Sequence, residues 1–116
     1  MRATAMNAAL SKIGVPYVWG AAGPRAFDCS GLVLWAFNKV GISLPHSSAA
    51  QSRIGTPVAK SDLRPGDLVF FYSPVSHVAM YIGNGKVVHA SEPGQPVKVT
   101  PLSRAGTFHN ARRLSA

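Results

Sequence analysis

The sequence predicts an α+β fold in which helices come first along the chain and a sheet follows. Residues 3–54 carry apolar side chains at helical spacing, whereas residues 67–114 form short β-like runs separated by turns. Helices followed by strands, without alternation of the two, favour an antiparallel sheet with the helices packed on it. The 116 residues suit a single domain over 1–116.

Three helices are predicted in the first half. Residues 4–13 are rich in alanine, the best helix former. Apolar residues at three- and four-residue spacing predict a buried helix from about 29 to 40, for which Asp28 is a suitable N-cap. A short third helix is predicted over 47–54.

Five strands are predicted in the second half. They lie at 67–72, 77–82, 86–90, 96–101 and 109–114. The glycine-rich stretch 83–85 separates the second from the third and is a strong hairpin signal. We therefore expect an antiparallel sheet of five strands.

The charge balance favours an anionic partner. Twelve Lys and Arg face four Asp and Glu, a net charge of +8. The basic residues are scattered and form no stripe with aromatic residues, so nucleic acid is not expected as a partner. No apolar run of about 18 residues is present, and the first fifteen residues do not resemble a signal peptide, so neither a membrane span nor a leader is expected in this chain.

The single cysteine, Cys29, opens the second predicted helix. Backbone N–H groups and the helix dipole would therefore point at its sulfur, and with a cationic imidazole they can lower a thiol pKa from about 8.5 to between roughly 3.5 and 7.5. The same N–H groups can hold the oxyanion formed in acyl transfer. Ser30 and Gly31 leave room for a substrate backbone. The alternative is that Cys29 is core packing for the helix.

Two of the four histidines can act with this cysteine. If residues 83–85 form a three-residue loop, Ala79 pairs with His89, and His89 lies diagonal to His77 on the same face. A two-residue loop would place His89 on the opposite face. In the first case Cys29 attacks a carbonyl carbon, His77 transfers the proton, and His89 orients His77.

The same three side chains have the types found in zinc sites. However, the sequence contains neither HExxH nor CxxC spacing, and one cysteine with two histidines is an unusual set of structural ligands. We therefore expect no zinc site. His46 and His109 are predicted to be surface or structural residues.

Six stretches in register resemble the NlpC/P60 family of cell-wall peptidases, and the similarity extends from about residue 7 to residue 114. They are PYVWG (16–20), FDCSGLV (27–33), LPHSS (44–48), LRPGDLVFF (63–71), HVAMYIGNGKVVHA (77–90) and VKV (97–99). Among these enzymes the chain looks most like the catalytic domains of actinobacterial secreted endopeptidases.

The resemblance implies a papain-like fold in which the nucleophile helix packs on the sheet. It implies a catalytic triad that matches Cys29, His77 and His89, and hydrolysis of the γ-D-glutamyl–meso-diaminopimelate bond of peptidoglycan stem peptides. It also implies that Tyr17 can hydrogen-bond at the active site and that Asp28 and Ser30 line the substrate groove. The resemblance implies neither a metal nor an organic cofactor, and it implies a secreted or cell-wall-associated protein. We expect a monomer.

Several positions depart from the family pattern or allow a plainer interpretation. Ala21 stands where a second glycine commonly follows the WG pair, and His46 replaces a frequent arginine, which removes a fixed charge. Trp19 and Trp35 are predicted to be core residues rather than sugar-stacking platforms. Asp67 is predicted to act as a turn residue before a strand.

Two other functions are compatible with the sequence. One is a non-catalytic wall-binding module that uses the charge of +8 to adhere to an anionic polymer, and such binding would be sensitive to salt. The other is an amidase or acyltransferase on the same scaffold, because an amine can capture the thioester in place of water.

Overall fold

The fold is an antiparallel sheet with three helices, seen in a computed structural model that describes residues 1–115. The helices are α1 (Arg2–Leu10), α2 (Cys29–Asn38) and α3 (Ser48–Gln51). The strands are β1 (Thr56–Pro57), β2 (Leu68–Phe71), β3 (His77–Gly83), β4 (Lys86–His89), β5 (Lys98–Pro101) and β6 (Phe108–Arg113). Short 3₁₀ helices lie at Lys60–Asp62 and Leu102–Arg104.

All three helices end earlier than the sequence pattern predicts. Beyond each end the chain continues in turns closed by hydrogen bonds over three residues, such as Ile13 N–H to the Leu10 carbonyl and Val40 N–H to the Phe37 carbonyl. The same happens after α3, where Ile54 N–H bonds to the Gln51 carbonyl. A tightened last turn keeps the apolar spacing of an α-helix without the α-helical hydrogen bonds. The sequence pattern therefore extends beyond the end of each helix.

The sheet has six strands in the order β1-β6-β2-β3-β4-β5, and every neighbouring pair is antiparallel. The prediction of five strands is therefore wrong by one. The extra strand, β1, is only two residues long and contains Pro57, which cannot donate to a ladder. Such a strand forms because β6 offers it an edge, and it carries no alternating pattern of its own.

Each face of the sheet has its own apolar cluster. On one face Phe70, Val78 and Met80 pack against Leu32 and Phe37 of α2, in the larger cluster. On the other face lies a smaller cluster of side chains from the alternate strand positions and the segment after β5: Val69, Phe71, Ala79, Val87 and Ala105. Strand β2 and the first half of β3 are therefore buried on both sides, and the helices cover only one.

The β3–β4 hairpin differs from the predicted three-residue loop. Gly83 pairs with Lys86, which leaves a two-residue turn at Asn84 and Gly85, with φ of 53° and 71°. Positive φ at both positions is the geometry of a type I′ turn. The register then shifts at Ile82, where an extra residue forms a bulge, so that Tyr81 pairs with Val87.

The bulge restores the alternation that a two-residue turn would otherwise have reversed. Met80 pairs with Val88, so the next pair along the ladder is Ala79 opposite His89. His89 therefore lies on the same face as His77, as predicted, although the loop length on which that prediction depended is wrong.

A buried ion pair joins the start of β2 to the end of β6. Asp67 is fully buried and accepts two hydrogen bonds from the Arg113 guanidinium, at 2.9 and 2.8 Å. It also accepts the backbone N–H of Arg64 at 2.8 Å, the turn contact predicted for it. Asp67 is thus both a turn residue and the anchor of the last strand.

We expect Arg113→Met to lower the free energy of unfolding by about 3 kcal/mol, because it leaves the Asp67 carboxylate buried without its partner. Urea denaturation followed by circular dichroism measures the effect. The matched control is Arg64→Met. The Arg64 side chain is 60% exposed and lies 3.7 Å from the Asp62 carboxylate, so this variant should change the free energy of unfolding by no more than about 1 kcal/mol. Equal losses in the two variants would contradict this account of Asp67.

None of the helices in residues 1–115 has the length and apolar character needed to cross a membrane.

Candidate active site

The carboxylate of Asp28 organises the start of α2. Its Oδ1 accepts the backbone N–H of Gly31 at 2.7 Å, which is the N-cap bond, and lies 2.7 Å from His46 Nε2. Its Oδ2 accepts the backbone N–H of Gly20 at 3.0 Å. One nearly buried side chain therefore ties the loop before the helix, the helix itself and the segment after it to a single point.

Close packing around this cap leaves no space at position 31, so the expectation that Gly31 leaves room for a substrate backbone is wrong. A Cβ on Gly31 would overlap the carbonyl oxygen of Ala21, which accepts the Asp28 N–H at 2.8 Å. Helix α3 closes the same region from the other side, because the Gln51 side chain donates to the carbonyl of Ser30 at 3.1 Å. The head of α2 is therefore held by contacts from three segments of the chain.

Cys29 is the first residue of α2, and its half-buried side chain opens into a cleft of about 800 Å³. Burial raises the pKa of its thiol, while hydrogen bonds from the backbone N–H groups of Val78, Ser30 and Cys29 itself oppose that rise. The neighbouring Asp28 carboxylate raises the thiol pKa further. The expectation of a depressed thiol pKa is therefore wrong for the free protein: desolvation of the thiolate outweighs the helix head.

His77 and His89 are in direct contact. His77 Nε2 lies 2.8 Å from His89 Nδ1, and His89 Nε2 lies 3.0 Å from Thr100 Oγ1. Both imidazoles are nearly buried, and burial lowers the pKa of each to about 4, with a further lowering from His89 at His77 and from Lys98 at His89. Both rings are therefore neutral at pH 7, and the unshared nitrogen of His77 is Nδ1.

The cysteine and the histidines line the same cleft at the end of the sheet. His77 shares the face of Phe71, its partner across the ladder, whereas α2 packs on the other face. As the first residue of β3, however, His77 lies where the sheet ends, and the backbone of the next residue, Val78, is near enough to the Cys29 thiol to lower its pKa. The three predicted catalytic side chains all line the one cleft.

The predicted substrate-contacting residues Tyr17, Asp28 and Ser30 also line this cleft. Burial raises the pKa of the Tyr17 phenol, and the nearby Cys29 and Asp28 raise it further, so the phenol keeps its proton and can donate it in a hydrogen bond. The Ser30 hydroxyl, in contrast, is turned toward Asp28 Oδ1 at 3.4 Å. The Asp28 carboxylate thus caps α2, and the Ser30 hydroxyl is directed at that carboxylate.

One of the two tryptophans differs from its predicted place. Trp19 is 84% exposed on the rim of the cleft, so its prediction as a core residue is wrong. Trp35 does pack against the core, in edge contact with Phe27. His46, predicted to be a surface or structural residue, is exposed and contacts the capping carboxylate of Asp28, and it also lines the cleft.

Within residues 1–115, no three His, Cys, Asp or Glu side chains converge as a metal site would require. The cleft presents the Cys29 thiol, the neutral imidazoles of His77 and His89, the Tyr17 phenol and backbone N–H groups to any bound molecule. Such a set can perform acyl transfer through a nucleophile and a base.

The sequence matches one family model and several curated proteins. A family model described as the NlpC/P60 family matches residues 14–113. A probable endopeptidase of Mycobacterium tuberculosis is 54% identical over 112 residues, which cover 97% of this chain and 29% of that protein. The peptidoglycan endopeptidase RipA of the same organism is 45% identical, with 84% of this chain and 24% of RipA covered. The chain thus spans less than a third of these curated relatives.

Solved structures agree with the sequence comparisons. The NlpC/p60 domain of the peptidoglycan hydrolase SagA superposes with a TM-score of 0.90 at 35% identity, covering 98% of this chain and 99% of that one. This similarity confirms the predicted papain-like α+β class, apart from the strand count. The match to residues 14–113 and the shared fold show that the chain belongs to the NlpC/P60 family.

Proposed function

We propose that this chain is a cysteine endopeptidase that hydrolyses the γ-D-glutamyl–meso-diaminopimelate bond of peptidoglycan stem peptides through a thioester. The observation that carries the proposal is the set of contacts at the end of the sheet. Cys29 and His77 open into one cleft, and His89 holds the far nitrogen of His77 at 2.8 Å. A nucleophile, a base and a group that orients the base are the parts that covalent acyl transfer needs.

The contact between His77 and His89 indicates which nitrogen of His77 can accept the thiol proton. If His77 carries its proton on Nε2 and donates it to His89 Nδ1, its Nδ1 has a free lone pair for the thiol proton. His89 then carries its own proton on Nε2 and donates it to the Thr100 hydroxyl. When His77 becomes an imidazolium, both of its protons are in hydrogen bonds, one of them to His89.

The reaction then proceeds in two steps. In the first, Cys29 attacks the carbonyl carbon as His77 takes the thiol proton; the C–N bond breaks, and His77 gives that proton to the leaving amine. In the second, His77 activates a water molecule that hydrolyses the thioester. Because both groups are neutral at rest, proton transfer accompanies attack and does not precede substrate binding.

The head of α2 is suited to the oxyanion. Gly31 N–H is already taken by Asp28, but the backbone N–H groups of Cys29 and Ser30 lower the pKa of the thiol and so lie beside it. They can stabilise negative charge on the substrate oxygen as the carbonyl becomes tetrahedral. Tyr17, which keeps its proton, supplies a further donor beside the nucleophile.

The names of relatives support the choice of substrate. RipA is named a peptidoglycan endopeptidase and SagA a peptidoglycan hydrolase. We extend that substrate to this chain, together with a secreted or cell-wall-associated location. We further propose that residues 1–116 form one catalytic domain and that this domain is a monomer.

We expect Cys29→Ala to abolish hydrolysis of muropeptides, because no other side chain in the cleft can form the thioester. Mass spectrometry should show new N-terminal diaminopimelate with the wild-type protein and none with the variant. His77→Ala should behave similarly.

The unfolding midpoint of each variant is the control for this test, and it should stay near the wild-type value for Cys29→Ala. If wild-type protein and Cys29→Ala gave the same products, the peptidase proposal would be wrong. Binding to wall fragments that survived in Cys29→Ala, without any turnover by wild type, would instead support a wall-binding module.

We expect kcat/KM to fall on the acid side near pH 4 rather than near pH 6.5. His77 acts as a base only when neutral, and burial holds its pKa at about 4. The same lowering predicts that the free energy of unfolding decreases as pH falls from about 6.5 toward 4, because the unfolded chain binds protons there that the folded chain does not. A pH–rate profile and urea denaturation at each pH measure the two effects; an acid limb near 6.5 would contradict a buried base.

We expect Cys29 in the free protein to react with iodoacetamide only at a pH above that of an ordinary thiol. Burial raises the thiol pKa, and the thiolate is the reactive form. The same protein in urea is the internal control, since its exposed thiol should react at the ordinary pH. A folded-state midpoint below the urea value would show instead a preformed thiolate–imidazolium pair.

A further inference from the structure

The charged side chains of the cleft are unevenly distributed. Near the head of α2, the Asp28 carboxylate is paired with His46 and backbone N–H groups. On the β5 side, two cations line the cleft: Lys98, opposite His89 in the β4–β5 ladder, and Arg104. The β5 side therefore carries both cations of the cleft lining, and at Lys98 it adjoins His89.

Arg104 is a cation without an anionic partner in residues 1–115. The ion pairs found in that part of the chain involve other residues, and Glu92, the remaining carboxylate of the cleft lining, forms none. Lys98 differs, because its ammonium bonds to the Gln95 side chain at 3.2 Å. Arg104 is exposed, so its guanidinium is available to a molecule bound in the cleft.

The backbone that carries Arg104 is fixed. It ends the 3₁₀ helix Leu102–Arg104, which follows β5 directly. Leu102 N–H bonds to the Gly85 carbonyl at 2.8 Å, and the next residue, Ala105, is buried in the smaller apolar cluster. A guanidinium on a fixed turn is positioned for a planar, two-oxygen partner better than one on a loose loop.

The substrate class supplies such a partner on this side. The leaving half of the peptide must lie beside His77, because that imidazole returns the proton to its amine. Diaminopimelate has two amino acid centres, so when one is in the peptide chain the other still carries a carboxylate. The free carboxylate and the free guanidinium are therefore brought to the same side of the cleft.

We propose that Arg104 binds the side-chain carboxylate of diaminopimelate and makes this chain selective for stem peptides in which that carboxylate is not amidated. This assignment rests on the proposed function. Arg104 acts here as a specificity residue that contacts substrate, and it takes no part in proton transfer. Lys98 adds positive charge to the same region without a direct contact being required.

Carboxylate binding would also act on the histidine pair. Positive charge on the β5 side opposes protonation of His89, and through it of His77, which must become an imidazolium during the reaction. A bound carboxylate would offset that charge as the substrate arrives. The same contact would thus favour the imidazolium as well as hold the substrate.

The test uses two synthetic tetrapeptides that differ only in the side chain of diaminopimelate, one with the carboxylate and one with the carboxamide. Wild-type protein should cleave the carboxylate peptide with kcat/KM higher by about tenfold, the effect of one charge-assisted hydrogen bond. Arg104→Gln should lose this preference by slowing only the carboxylate peptide. Arg64→Gln, an exposed arginine outside the cleft lining, should keep it.

Binding can be measured without turnover in the Cys29→Ala background by isothermal titration calorimetry. The carboxylate peptide should bind more tightly than the carboxamide, and addition of Arg104→Gln should remove the difference. Equal cleavage and binding of both peptides by wild-type protein, or an Arg104→Gln variant that slows both peptides equally, would overturn the assignment and leave the proposed function standing. Cleavage of neither peptide by wild-type protein would overturn both.

Discussion

The cleft depends on one capping carboxylate. Asp28 accepts hydrogen bonds from Gly31 and Gly20 and contacts His46, so that the loop before α2, the helix and the segment after it converge on the same two oxygens. A nearly buried carboxylate needs all of these partners, since each donor that is lost leaves negative charge in a poorly solvated place. The position of the Cys29 sulfur and of the N–H groups beside it follows from this cap.

The second half of the site depends on turn chemistry. A two-residue type I′ turn alone would have placed His89 on the wrong face, and the bulge at Ile82 reverses that outcome. The side-chain period of a strand is two residues, so one extra residue exchanges the faces of everything beyond it. The contact between His77 and His89 is thus a consequence of the hairpin end, several residues away.

Burial gives the site its resting state. The thiol pKa is raised and both imidazole pKa values are lowered, because desolvation penalises the charged form of each group. A neutral thiol beside a neutral imidazole is a different starting point from a preformed ion pair. Charge must then separate during the reaction itself. The N–H groups at the head of α2 can stabilise the negative charge, and the hydrogen bonds through His89 and Thr100 can stabilise the imidazolium.

The sequence by itself determined the α+β class, the existence of α2 with Asp28 as its cap, the long strands, and the family, which six motifs in register indicated. These follow from local periodicity, cap chemistry and motif order, which need no knowledge of distant residues. Only the tertiary structure decided the strand β1, the exposure of Trp19 and the protonation states of the site. Each of these depends on what packs against a residue from far along the chain, and burial by distant segments leaves no local pattern in the sequence.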